Sequence, residues 1–77
     1  MFERYPEYSN LIRQALRQAP EGKLDAIGLI RSSGIKGDVL HHVITQMEQE
    51  GSLLSEWENF GPVRVFVYML PPESKVR

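Results

Sequence analysis

Seventy-seven residues without a cysteine, 42% hydrophobic and 25% charged at a formal net charge of −1, describe one small globular domain. They exclude a large enzyme with its own cofactor domain, a disulfide framework and a thiolate metal centre. The longest apolar run, residues 65–70, is far short of the roughly 20 residues needed to cross a bilayer, and residues 1–6 lack a basic stretch leading into an apolar one, so the expectation is a cytoplasmic chain.

The first predicted element is a helix from about 6 to 18. Leu11, Ile12, Ala15, Leu16 and Ala19 recur at helical spacing on one face, with Arg13, Gln14, Arg17 and Gln18 on the other. Either Pro6 sits at its first position or Ser9 is its N-cap; Pro20-Glu21-Gly22 ends it. A second, short helix is expected from 26 to 32 or 33, capped by Asp25 and stopped by Gly34, with Ala26, Leu29 and Ile30 inward and Ile27 at the flank. The third runs over 38–51. Asp38 is its expected N-cap, Gly51 its stop, and Leu40, Val43, Ile44 and Met47 its inward stripe. The period then changes. Residues 53–58 and 63–70 are β-branched and aromatic runs with alternation, and Asn59-Phe60-Gly61-Pro62 reads as the turn of a hairpin. Pro71-Pro72 ends the second strand, and residues 71–77 read as a flexible tail outside a single domain over 1–70.

A hairpin needs an apolar surface to lie on, and three helices with one stripe each supply it. Lys23-Leu24 could add a brief third strand. This order resembles a winged helix-turn-helix domain: α+β, three helices and a C-terminal two-stranded β-hairpin wing. Leu29-Ile30-Arg31-Ser32-Ser33-Gly34-Ile35 is similar to that family's second helix and turn. Leu40, Val43, Ile44 and Met47, with Gly51-Ser52-Leu53-Leu54, resemble the third helix and exit of MarR-like and PadR-like regulators. Ser55-Glu56-Trp57-Glu58 followed by Val65-Phe66-Val67-Tyr68 looks closest to a PadR-like wing, and the resemblance covers about residues 8–70. The long C-terminal dimerisation helix of PadR-like proteins has no counterpart after the wing, so dimerisation through it is not expected. Phe2, Tyr5 and Tyr8, spaced three apart, either cover the open end of the core or form a substitute interface.

The resemblance implies a small transcriptional regulator, in the usual case a repressor, that reads duplex DNA with helix 38–51 and wing 55–65, as a homodimer or cooperatively. With the apolar stripe inward, His41, His42, Thr45 and Gln46 face outward and can donate or accept at base edges. Ser33 and Lys36 stand where the turn would meet phosphates, Asn59 and Arg64 bracket the wing tip, and Arg13 and Arg17 add charge on the first helix. Electrostatics oppose this. Residues 38–62 carry Asp38, Glu48, Glu50, Glu56 and Glu58 and no Lys or Arg, whereas phosphate neutralisation by cations supplies most nonspecific affinity.

That acidic stretch, with Trp57 as anchor, fits instead a protein-interaction module, if Trp57 is exposed rather than packed under the wing. Catalysis is not expected. His41 and His42 are adjacent and diverge on a helix, no nucleophile–base set is spaced for use, and Gly34-Ile35-Lys36-Gly37 lacks the phosphate-loop pattern. No cofactor or metal is expected.

Overall fold

A computed structural model describes residues 4–72. Phe2 and residues 73–77 of the expected tail lie outside the described residues. The order is α1 (Tyr5–Gln18), β1 (Lys23–Asp25), α2 (Ala26–Ser33), α3 (Gly37–Gln49), β2 (Leu54–Phe60) and β3 (Val63–Met69). The fold is α+β. The expected hairpin is extended by β1 into a three-stranded antiparallel sheet of order β1-β3-β2.

Pro6 lies in the first turn of α1, where its missing N–H costs nothing. Ser9 is therefore not the cap: it is buried inside the helix, and its hydroxyl donates to the Pro6 carbonyl at 3.1 Å. Ile12, Ala15 and Leu16 form the buried stripe, whereas Leu11, expected among them, is 39% exposed at its edge. Asp25 caps α2 by accepting from the Gly28 N–H at 2.8 Å. Gly34, at φ 76°, closes it with an N–H bond to the Ile30 carbonyl. Only Leu29 of α2 is buried; Ala26 and Ile30, expected inward, are exposed, and so is Ile27. An eight-residue helix resting on α1 and β1 has one side to bury, and Leu29 fills it.

Helix α3 starts one residue earlier than its sequence suggests. Buried Ile35 anchors the turn, which puts Lys36 at the N-cap and Asp38 inside the first turn, its carboxylate accepting from the Val39 N–H at 2.8 Å. Asp38 is not the cap, though an acid there still suits the helix dipole. The stripe Leu40, Val43, Ile44 and Met47 is buried as expected, and the helix ends at Gln49.

The hairpin turn is shorter than its composition implied. Phe60 pairs with Val63, so only Gly61 and Pro62 turn the chain. Gly61 takes φ 63° at the first central position, a conformation that matches the strand twist and that glycine adopts without strain.

Ile12, Leu16, Leu29, Val43, Met47 and Leu53 form the fully buried centre of the core. Tyr5 is buried and Tyr8, Leu24, Tyr68 and Leu70 pack against this centre, so the two tyrosines cover the core rather than stand out as an interface. Among the described residues, no helix is long and apolar enough to cross a membrane.

Candidate nucleic-acid interface

Three residues, Gly34-Ile35-Lys36, join α2 to α3. Ser33 is spent within this turn: its hydroxyl donates to the Leu29 carbonyl at 2.6 Å and accepts from the Ile35 N–H at 3.2 Å. It shapes the turn, and the neighbouring Lys36 is left as the exposed cation at the start of α3.

Along α3, His41 and His42 are both exposed, with ring centroids 6.0 Å apart at 62°. Thr45 is exposed too, with its hydroxyl donating back to the His41 carbonyl at 2.9 Å, which leaves its oxygen free to accept only. Gln46 differs from its neighbours. It is half-buried, and its amide donates to the Glu50 carboxylate at 3.1 Å. The Tyr5 hydroxyl donates to the same carboxylate at 2.7 Å, tying the start of α1 to the end of α3.

That tie shifts both partners. Burial, and then the bond to Glu50, push the Tyr5 phenol up to about 12, and the Tyr5 bond holds Glu50 below the usual carboxylate range. A phenol that binds its proton more tightly when folded stabilises fully below pH 10, and the benefit is lost as pH rises from 10 to about 12. The depressed Glu50 stabilises above the ordinary carboxylate range, and its contribution is lost as pH falls through it. Tyr5→Phe is expected to lower the melting temperature at pH 7 and to flatten its decline at both ends. Melting curves across pH test this; an unchanged alkaline decline would show that the hydroxyl is not held by Glu50.

The central acids are mostly engaged with neighbours. Glu50 holds Tyr5 and Gln46, Glu48 accepts from the Ser55 hydroxyl at 2.8 Å, and Glu58 and Glu56 both bond Lys23, the latter at 3.4 Å. Alternation also separates charges across the hairpin. Cross-strand pairs Glu56↔Val67 and Glu58↔Val65 share one face, while Trp57↔Phe66 and Asn59↔Arg64 share the other. The face with Trp57 and Arg64 also carries Ser55, whose bond to Glu48 turns it toward the His41–Thr45–Glu48 row of α3. No carboxylate of the hairpin lies on it.

Lys36, His41, His42, Thr45, Asn59 and Arg64 are all exposed, the first four at the N-cap and along α3 and the last two near the tip of the hairpin, whose Ser55 is tied to Glu48 of α3. Arg13 and Arg17 are not with them. They line a shallow depression with Ser52, Leu70, Pro71 and Pro72, beyond the C-terminal end of α3. At 1.5 Å per residue, that end lies about 20 Å from Lys36. Sequence reading also missed the stack on the hairpin. The Arg64 guanidinium lies 4.9 Å from the Trp57 ring centre, Trp57 4.9 Å from Phe66, and Phe66 5.5 Å from Tyr68. The signal was available: a two-residue turn at Gly61-Pro62 pairs Trp57 with Phe66 by counting outward.

No family model, curated protein or solved structure matches the chain.

Proposed function

We propose that this chain is a winged helix-turn-helix domain that binds duplex DNA as a small transcriptional regulator, with the N-terminal half of α3 in the major groove and the hairpin against the flanking backbone. The observation that carries this reading is the distribution of charge. The exposed start of α3 presents Lys36, His41, His42 and Thr45, and the acid-free face of the hairpin presents Asn59 and Arg64, while Glu56 and Glu58 lie on the opposite hairpin face, bonded to Lys23. Asp38 and Glu48 are the exposed carboxylates of α3 itself. The acidic stretch that argued against DNA in the sequence is thus split: its hairpin glutamates lie on the face opposite Trp57 and Arg64, and Glu48 and Glu50 stand at the C-terminal end of α3.

The short α2–α3 connection supports the same reading, with residues 36–38, 41 and 42 at the start of α3 exposed for entry into a groove. Lys36 and Arg64 take phosphates, His42 and Thr45 base edges. Repression by occupying a promoter, as a dimer or cooperatively, is the simplest use of so small a domain.

The test is an amide NMR titration with random-sequence duplex DNA at low and near-physiological salt. Shifts clustered at 36–45 and 57–64 that shrink as salt rises are expected. Arg64→Ala and Lys36→Ala should each weaken binding to every duplex alike and reduce the salt slope by about 1. No shift at low salt would overturn the reading.

A further inference from the structure

The hairpin face with Trp57 holds more aromatic surface than a phosphate contact needs. Trp57 is 57% exposed and Phe66 37%, and of the aromatic groups on this face Tyr68 is the one packed against the core. Four groups are layered here: the Arg64 guanidinium over the indole, the indole against Phe66, and Phe66 edge-on to Tyr68. Asn59, directly opposite Arg64 in the register, adds an exposed amide. We propose that this face is a stacking platform for an unpaired base of a single-stranded nucleic acid, in which the base takes the indole face now covered by Arg64, and Arg64 moves onto the adjoining phosphate.

Each part of the argument has a physical basis. Single strands are bound by aromatic side chains that stack bases, together with cations that track the backbone, and every base offers a π-face. A guanidinium on an indole marks a ring face that accepts a flat, electron-poor partner. It is also a replaceable one, since Arg64 has no ion pair among the described residues. The hairpin's acids cannot repel the strand from this side, because Glu56 and Glu58 lie on the opposite face and are bonded to Lys23. Asn59 supplies both a donor and an acceptor within reach of a stacked base's edge.

The proposal goes beyond duplex reading by α3 and can fail independently of it. Trp57 is the chain's one tryptophan, so its emission reports on this face directly. The probes are oligothymidylate and oligouridylate of about ten nucleotides, within the span of known single-strand sites. Both are titrated into the intact chain at low salt, and duplex DNA is titrated separately with an end-labelled anisotropy readout. Saturable quenching of Trp57 by one or both oligomers is expected, weakening as salt rises. Phe66→Ala, which keeps the reporter, should lower single-strand affinity at least about fivefold, and Trp57→Ala likewise by anisotropy of a labelled oligomer, both with native helical circular dichroism. A difference between the two oligomers identifies a DNA or an RNA strand. Absence of quenching by both overturns the proposal and leaves the face to a protein partner, whatever the duplex result. Single-strand affinity unchanged in folded Trp57→Ala overturns it as well. Duplex binding without single-strand binding refutes only this inference; the reverse refutes only the duplex reading.

Discussion

Met47→Ala is expected to cost about 2–5 kcal/mol of folding stability, the range for truncating a fully buried large side chain. Met47 has no exposed surface and sits at the centre of a core shared with Ile12, Leu16, Leu29, Val43 and Leu53. A flexible thioether fills irregular gaps, so its removal leaves space that the neighbouring branched chains cannot all reach. A 77-residue domain has about 4–12 kcal/mol in total to lose. The substitution should therefore lower the melting temperature by at least about 8 °C and leave a measurable unfolded fraction at 37 °C. His42→Ala, on the opposite side of the same helix, should stay within about 0.5 kcal/mol of the parent. Thermal denaturation of the two variants decides the matter. Equal melting temperatures would mean that the inward face of α3 is wrongly assigned, and the interface with it.

His42→Ala should instead act on binding. A base-edge contact is worth about 1–3 kcal/mol of discrimination, so affinity for the preferred duplex should fall about 5- to 150-fold while affinity for random duplex barely moves. Gln46→Ala separates the structure from the sequence. By residue type Gln46 was the better adenine reader, since its amide can pair bidentately. In the fold that amide already donates to Glu50 and is half-buried, so reaching a base means giving up a charge-assisted bond. Its removal is expected to change specificity less than His42→Ala. Fluorescence anisotropy on a selected operator and on scrambled duplex measures both. A larger loss for Gln46→Ala would place the reading face one helical step toward α1.

How much of this was legible in the chain depends on what each residue answers to. Asp25, Gly34 and the stripe Leu40, Val43, Ile44 and Met47 answer to local rules of capping and periodicity, and all stand where those rules put them. Ala26 and Ile30 do not, because their burial depends on what lies opposite α2, which no periodicity within eight residues reports. Asp38 was displaced from the cap by Ile35, whose pull toward the core is tertiary. Charge was the least legible of all. Glu48, Glu50, Glu56 and Glu58 read as one acidic run, yet their partners Ser55, Tyr5 and Lys23 lie 7, 45 and 33–35 residues away along the chain. Period-2 alternation alone would have separated Trp57 from its flanking glutamates. The four-residue turn assumed at 59–62 hid the register that pairs Trp57 with Phe66.

Strand β2 borders the sheet on one side, with no strand beyond it among the described residues. An open strand seven residues long is a template on which a neighbouring molecule could add its own, the first step toward fibrous aggregates. In the antiparallel register centred on Trp57, Glu56 of one molecule would stand opposite Glu58 of the next, twice over, and like charges so placed repel. Lys23 answers them within its own molecule and is not available to bridge two. The glutamates that look ill-suited to a nucleic-acid ligand thus act as a guard for the concentrated protein. Replacing both by threonine should raise light scattering on storage while leaving the freshly folded protein intact, and a variant that stays clear would show that the strand is shielded by its twist instead.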